Sequence, residues 1–168
     1  MDDVSSQIAA WGRQPREARL ARLAATPAQL AAMIGGARDD TLARRPAPDA
    51  WAAVEVACHL RDLEESFHER VSLILAADAP RFPTTHPGRW AIERQYLRHD
   101  AHAAAAAFTT WRTETLALFA RVPSDGWERA GYQVDSRGRR TVDDFLTVMA
   151  WHDENHLAQL ARALAGRP

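Results

Sequence analysis

The chain has 168 residues and a formal net charge of −1. This length suits one domain with a sizeable core, and the balanced charge excludes a strongly basic surface for nucleic acid or an anionic membrane. Cys58 is the sole cysteine, which excludes an internal disulfide. The first residues lack the basic-then-apolar order of a signal peptide, and no stretch approaches about 18 uncharged apolar residues. We therefore expect a cytoplasmic protein whose partners include neither membrane nor nucleic acid.

Short helices are predicted before residue 50. Residues 4–11 can form a helical piece, and Pro15 can start a helix that runs to about Ala25, since proline is tolerated at the first helical position. Thr26-Pro27 repeats that start signal with a cap residue before the proline. A helix is therefore expected from Pro27 to about Ala43, weakened in its middle by Gly35 and Gly36.

Two long helices are predicted next. The first begins at Asp49 or Ala50 and ends near Ala77, and its apolar stripe repeats every three or four residues. The stripe consists of Val56, Leu60, Leu63, Phe67, Val71 and Ile74. A proline-rich loop over residues 79–88 separates it from a helix expected from about Ile92 to Arg121. That helix keeps the same spacing through Phe108, Trp111 and Thr115.

A last helix is predicted from Thr141 to about Leu164. Thr141 with Asp144 three residues on resembles a capping box, and a short β-like excursion is expected before it, around residues 132–134. Four long helices with weak strand signals indicate an all-α four-helix bundle, preceded by a short N-terminal helical extension. We predict a single domain over residues 1–168, with its core at about 27–165.

The last helix carries two histidines, His152 and His156, on its predicted core face. Residues four apart on a helix lie about 40° apart in rotation and about 6 Å apart along the axis, so both imidazoles point from one face. A core face rarely contains two histidines without a partner for them. A metal site and hydrogen-bonded core histidines are both open at this point. The spacing is that of a zincin helix, but Asp153 stands in place of the zincin glutamate, and 12 residues after His156 leave no room for a downstream ligand.

Two segments together resemble the DinB/YfiT-like superfamily. They are Trp51–Asp62, which contains His59-Leu60, and Trp151–Leu157, which contains His152 and His156. Arg94-Gln95-Tyr96 and Gly138–Thr141 are similar to that family as well, and the likeness covers about residues 27–165. The resemblance implies a four-helix bundle in which His59, His152 and His156 bind one divalent metal.

The resemblance also carries expectations about chemistry. Three histidine ligands leave one coordination position open, as in catalytic sites, and zinc or nickel, with iron as a further candidate, suits such a site. Some family members use low-molecular-weight thiols such as mycothiol, bacillithiol or glutathione, which implies a metal-dependent thiol transferase with a small electrophile as its second substrate. The alternatives are a non-catalytic stress- or damage-induced metal-binding protein and a bundle that only mediates interactions. Dimer formation by members of this family and the alanine run at residues 103–107 favour a homodimer.

The other candidate residues receive structural interpretations. Carboxylates near the histidines in sequence could accept from their second ring nitrogens, and these are Glu55, Asp62, Asp153 and Glu154. Cys58 is expected to be a small buried filler rather than a nucleophile. Surface positions are expected for His68, His86, His99 and His102, and core positions for Trp51, Trp111 and Trp151. Trp127 and Tyr132 are expected to line the mouth of the site.

Overall fold

The computed structural model describes residues 3–134 and 138–168. Its α-helices are α1 (Val4–Gly12), α2 (Arg16–Gly35), α3 (Asp39–Leu42), α4 (Ala53–Ala76), α5 (Trp90–Glu93), α6 (Ala101–Phe119) and α7 (Val142–Leu164). Its strands are β1 (Arg81–Phe82), β2 (Ala130–Gln133) and β3 (Arg139–Thr141). Within the described ranges, no helix is long and apolar enough to cross a membrane.

Four helices, α2, α4, α6 and α7, form the predicted bundle, with α4 packed on α6 and α7 and with α2 packed on α6 and α7. Their apolar stripes build two core clusters. One contains the α4 residues up to Leu60 and the α7 residues from Leu157, and the other contains the α4 residues from Leu63 and the α7 residues up to Ala150. The three candidate histidines therefore lie where one cluster gives way to the other.

The predicted break at Thr26-Pro27 is wrong, because α2 continues through Pro27 as one helix from Arg16 to Gly35. Proline lacks the N–H that would donate to the carbonyl four residues back, which here is Leu23. The Arg112 Nη1 donates to the Leu23 oxygen at 2.8 Å instead. A side chain from α6 thus replaces the missing helical hydrogen bond. Gly35 and Gly36 mark the end of this helix rather than a weak middle.

The helix predicted from Ile92 to Arg121 is interrupted. The backbone turns left-handed at Gln95 (φ 54°), and α6 begins after Asp100, whose side chain caps it by accepting from the Ala103 N–H at 2.9 Å. The intervening Tyr96 is fully buried and donates its hydroxyl to Asp62 at 2.6 Å. This tertiary contact, which sequence periodicity does not register, draws the segment before α6 against α4.

The β-like excursion is confirmed as β2, which lies between two partners that the sequence analysis did not predict as strands. β1 pairs with β2 in parallel, and β2 pairs with β3 antiparallel with Gly131 opposite Arg140. A side chain at Gly131 would approach the Phe82 ring to 2.4 Å, so glycine is required for this close contact. The sheet leads directly into α7, whose capping box is also confirmed, with Thr141 and Asp144 exchanging hydrogen bonds of 2.9 Å.

Asp143 ties the start of α7 to α2, and we predict that its removal weakens the bundle in a pH-dependent way. It accepts from Arg19 Nη1 at 2.8 Å and from Arg16 Nε at 3.1 Å. Burial alone would raise the pKa of Asp143, but these arginines outweigh it and hold the pKa below its ordinary value. The carboxylate therefore stabilises the fold above about pH 4, and this contribution is lost as the pH falls through the folded pKa.

We expect Asp143→Asn to lower the free energy of unfolding by about 1–2 kcal/mol at pH 7. The difference from the native chain should shrink as the pH falls through the folded pKa of Asp143, because the native carboxyl then becomes protonated. Urea titrations followed by circular dichroism over a series of pH values measure this. Glu69→Gln, at an exposed position of α4, is the matched control and should change little at any pH.

Candidate metal centre

The structure brings His59 of α4 together with His152 and His156 of α7. Nε2 of His59 lies 3.2 Å from Nε2 of His152, and one ring nitrogen from each of the three histidines lies within 4.8 Å of the others. Two nitrogens bound to one tetrahedral zinc at about 2.0–2.1 Å would be roughly 3.3 Å apart. The 3.2 Å separation therefore fits a shared cation, and it also fits a hydrogen bond between the two rings.

The three imidazoles are neutral at pH 7. His59 and His152 are 5% and 6% exposed. Burial lowers the pKa of His59 to about 3 and lowers that of His152 well below its ordinary value, and burial also lowers the pKa of His156. Each ring therefore keeps a lone pair at neutral pH.

A divalent cation suits the hydrogen-bonding state of the cluster. Nδ1 of His59 is buried without a hydrogen-bond partner in the described chain, and the close pair of Nε2 atoms can share at most one hydrogen. A buried nitrogen without a hydrogen-bond partner is costly. The donors present, three neutral imidazoles, fit a divalent transition metal.

Gln159 orients one member of the cluster. Nδ1 of His156 lies 2.7 Å from Oε1 of Gln159, one turn further along α7. When Nδ1–H donates to this oxygen, Nε2 of His156 is left as the lone pair that faces the other histidines. The sequence analysis assigned no role to Gln159. Its position three residues after a candidate ligand was the available signal.

The carboxylates considered as partners for the histidines bond elsewhere. Asp62 accepts from Arg61, Arg94 and Tyr96 at 2.5–2.6 Å. Glu55 accepts from Arg45 and the Ala52 N–H, Asp153 accepts from Arg112 and Thr26, and Glu154 accepts from Trp11. Within the described ranges, none of the four bonds to a cluster histidine. Asp62 still acts through space, because its charge partly offsets the lowering of the His59 pKa.

Arg112 is a buried residue that the sequence analysis missed. It is 1% exposed, and its guanidinium donates to both oxygens of Glu64, both oxygens of Asp153 and the Leu23 carbonyl. All five N–H donors of the side chain are thereby used. These hydrogen bonds of Arg112 connect α2, α4, α6 and α7 next to His152.

Trp111, which was expected in the core, is only half-buried.

Aromatic rings enclose the cluster. The Trp51 ring lies 4.9 Å from the His59 ring and stacks nearly parallel to His156 at 6.3 Å, while Phe67 meets His152 edge-on at 5.9 Å. Trp51 is half-buried, so it forms a wall of the site rather than part of the interior. Trp127 was wrongly assigned to the mouth of the site, because it is buried and stacks on Phe119 at 5.6 Å.

Two clefts reach the cluster. One, of about 230 Å³, lies between α4 and α7 and is bordered by His152, Phe67 and Trp151. The other, of about 360 Å³, is bordered by His156, Trp51 and Gln159. Tyr132 borders neither, although its neighbour Gln133 borders the first. Small molecules can therefore approach the histidines from two openings.

The remaining candidates lie apart from the cluster. His86, His99 and His102 are exposed, and His68 is half-buried, with Nδ1 3.3 Å from the Thr115 hydroxyl. Cys58 is fully buried, and burial raises the pKa of its thiol to about 11. It is a packed core residue, as expected, and a poor nucleophile.

Comparison with known proteins agrees with this architecture. The sequence matches the family profile of the DinB superfamily over residues 22–160. It is 22% identical over 148 residues, 82% of this chain and 78% of the relative, to a protein of Oceanobacillus iheyensis named "Putative metal-dependent hydrolase OB0413". The fold is similar to that of YfiT from Bacillus subtilis, described as "a probable metal-dependent hydrolase with an unusual four-helix bundle topology". The TM-score is 0.82 at 19% identity, covering 90% of this chain and 86% of YfiT. The chain belongs to the DinB superfamily.

Proposed function

We propose that this protein is a divalent-metal-dependent enzyme in which His59, His152 and His156 hold one ion. Zinc and nickel are the first candidates and iron is a further one. The observation that carries the proposal is the convergence of three neutral imidazoles, with ring nitrogens within 4.8 Å of one another, between two open clefts. A structural zinc site would use four protein ligands, whereas this set has three.

The nucleophile is proposed to be a low-molecular-weight thiol of the mycothiol, bacillithiol or glutathione type. When bound, a divalent cation supplies Lewis acidity that lowers the pKa of a thiol or a water in its open coordination position. Three described residues near the site are not ready nucleophiles, since the Cys58 thiol has a raised pKa and Asp62 and Asp153 are held by arginines. An external thiol suits such a site. The reaction would form a bond between sulfur and the electrophile and expel a leaving group from it.

The residues around the cluster have defined parts in this proposal. Gln159 holds the His156 ring in one tautomer. Trp51 and Phe67 pack against the imidazoles and limit the access of water, which strengthens electrostatic interactions within the site. The second cleft, bordered by Asp49, Asn155 and Arg162, is polar enough for the body of such a thiol.

Hydrolysis is the second candidate. The relative from Oceanobacillus iheyensis and YfiT are both described as metal-dependent hydrolases, and the same three-histidine arrangement serves water as well as a thiol. A non-catalytic stress- or damage-induced metal-binding protein is the remaining alternative. It requires the same site and no turnover.

The transferase proposal is tested with zinc- or nickel-loaded protein, a panel of mycothiol, bacillithiol and glutathione, and monochlorobimane as the electrophile. We expect fluorescent conjugate to form at least 10-fold faster than without protein for one thiol, and to return to the background rate in His156→Ala, whose ring borders a cleft. His99→Ala, at an exposed position outside the cluster, should retain the native rate. Thiol-independent cleavage of 4-nitrophenyl acetate would favour a hydrolase. Absence of both reactions in metal-loaded protein would contradict an enzymatic role.

The oligomeric state of the chain is also part of the proposal. In the alanine run, Ala104 and Ala105 are buried within the chain, whereas Ala103 and Ala106 are exposed. The exposed pair provides the small side chains that allow close helix approach between two copies. We propose a homodimer through this face of α6, and sedimentation at micromolar concentration decides between it and a monomer.

A further inference from the structure

Elements outside the four-helix bundle form the mouth of the cleft that reaches His152. The inner walls are apolar and come from Leu63 and Phe67 of α4 and from Phe145, Val148 and Trp151 of α7. The mouth is formed by Ile8 of α1, Thr85 and Pro87 of the loop before α5, Gln133 of β2 and Arg140 of β3. The N-terminal helix and the small sheet, which lie outside the four helices of the bundle, thus meet at this opening.

Two arginines, Arg140 and Arg70, are among the described residues that border this cleft. Arg140 is half-buried, and no acidic side chain in the described part of the chain forms an ion pair with it. Arg70 also borders the cleft, where Nη2 donates to the Thr85 hydroxyl at 2.9 Å and the guanidinium lies over the Phe82 ring. The acid at the same cleft, Asp144, accepts the Thr141 N–H in the helix cap. Among the described residues, Arg140 therefore has no acidic partner and lies as a cation at the entrance to an apolar cleft.

We propose that this cleft binds a substrate with an apolar body and an anionic group, and that Arg140 determines this specificity by pairing with the anion. His152 is buried and Arg140 is half-buried, so the apolar body would extend inwards to the histidines while the anion stays at the mouth. A guanidinium holds a carboxylate through two parallel hydrogen bonds. The substrate class is a small aromatic or aliphatic carboxylate. This inference rests on the proposed function, because it assigns the electrophile to this cleft and leaves the polar cleft at His156 to the thiol.

The test compares a charged ligand and a neutral ligand of the same shape. Calorimetric titration of the zinc-loaded chain with 2-naphthoate and with 2-naphthamide measures their affinities without any turnover. We expect 2-naphthoate to bind at least 10-fold more tightly than 2-naphthamide. Arg140→Gln should remove most of that preference, because it deletes a charge-assisted pair, and should leave the affinity for 2-naphthamide unchanged. Val148→Trp, which fills the apolar wall, should weaken both ligands.

Arg139→Gln is the matched control, since Arg139 is the exposed neighbour of Arg140 on β3 and donates to the Glu128 carbonyl. It removes the same charge and should leave the preference intact. The preference should also survive chelation of the metal, because Arg140 and not the ion holds the carboxylate. Three outcomes would overturn the inference: equal or absent binding of the two ligands, a preference that disappears with the metal, or equal effects of the two arginine variants. Since no thiol takes part, a failed conjugation assay would overturn the proposed function and leave this result standing.

Discussion

Replacing Arg112 with methionine is expected to lower the free energy of unfolding by about 3–5 kcal/mol. The guanidinium is 1% exposed and lies between the carboxylates of Glu64 and Asp153, which are 2% and 1% exposed. Burial alone would lower the pKa of Arg112, but these two carboxylates outweigh it and raise the pKa, so the side chain stays charged. Methionine fills the space without replacing the charge. Two buried carboxylates are then left facing each other, and the Leu23 carbonyl loses the donor that compensates for Pro27.

Urea unfolding at pH 7 measures this effect. Arg98→Met, at an exposed position just before α6, should change the free energy of unfolding by less than about 0.5 kcal/mol. The triple variant Arg112→Met, Glu64→Leu, Asp153→Leu should recover much of the lost stability, because replacing a whole buried ion-pair group by apolar side chains is often neutral. A loss below about 1 kcal/mol for Arg112→Met alone would show that this network does not hold the helices together.

Replacing His59 with alanine is expected to lower the affinity for zinc by at least 100-fold. The variant keeps two ligands, both on α7, and loses the nitrogen that lies 3.2 Å from Nε2 of His152. Loss of a hydrogen bond to a metal ligand already costs 10–100-fold in affinity, so losing a ligand itself should cost at least as much. The bundle should remain folded, because the stripes of α4 and α7 supply most of its packing.

Competition with a chromophoric zinc chelator gives the affinity, and circular dichroism verifies the fold. His68→Ala, which removes a half-buried histidine outside the cluster, should bind zinc like the native chain. Melting of the zinc-loaded native chain should also occur at a higher temperature than that of His59→Ala, since a ligand that binds the folded state stabilises it. If His59→Ala binds zinc as tightly as the native chain does, the site does not include His59.

The candidate site could be predicted because it depends on local spacing and on the order of short motifs. His152 and His156 share a face of α7 by helical geometry alone, which the structure confirms. His59 was a different case. Its position next to the apolar stripe of α4 did not mark it as a candidate metal ligand. That assignment came from the resemblance of Trp51–Asp62 to the DinB/YfiT-like superfamily. The structure then placed it 4.6 Å, ring to ring, from His156.

The helix boundaries that failed depend on contacts distant in sequence. Pro27 normally starts or breaks a helix, but Arg112, 85 residues later, donates to the carbonyl that Pro27 leaves free. Similarly, the three-four spacing runs continuously through residues 92–121, and nothing in it shows that Tyr96 reaches back to Asp62. Local patterns cannot report these contacts, because in each one the partner lies on another helix.

The residues around the histidines were the least predictable part of the site. Arg112 lies directly after Trp111, which the sequence analysis placed in the apolar stripe of this helix. An arginine is normally expected at the surface. Its burial follows from two carboxylates, Glu64 and Asp153, that only the folded bundle brings to it. Arg140 and Ile8 likewise meet at one cleft through the sheet and the N-terminal helix, which share no sequence pattern.

Titration of the metal-free chain with cobalt(II) tests the central claim most directly. Cobalt(II) reports its ligands through visible absorption bands, and the three histidines should take up one ion per chain with a sharp end point at one equivalent. The triple variant His59→Ala, His152→Ala, His156→Ala, verified as folded by circular dichroism, should show no such bands. The account would be contradicted by a native chain that develops no bands at excess cobalt, or by a folded triple variant that still binds one equivalent.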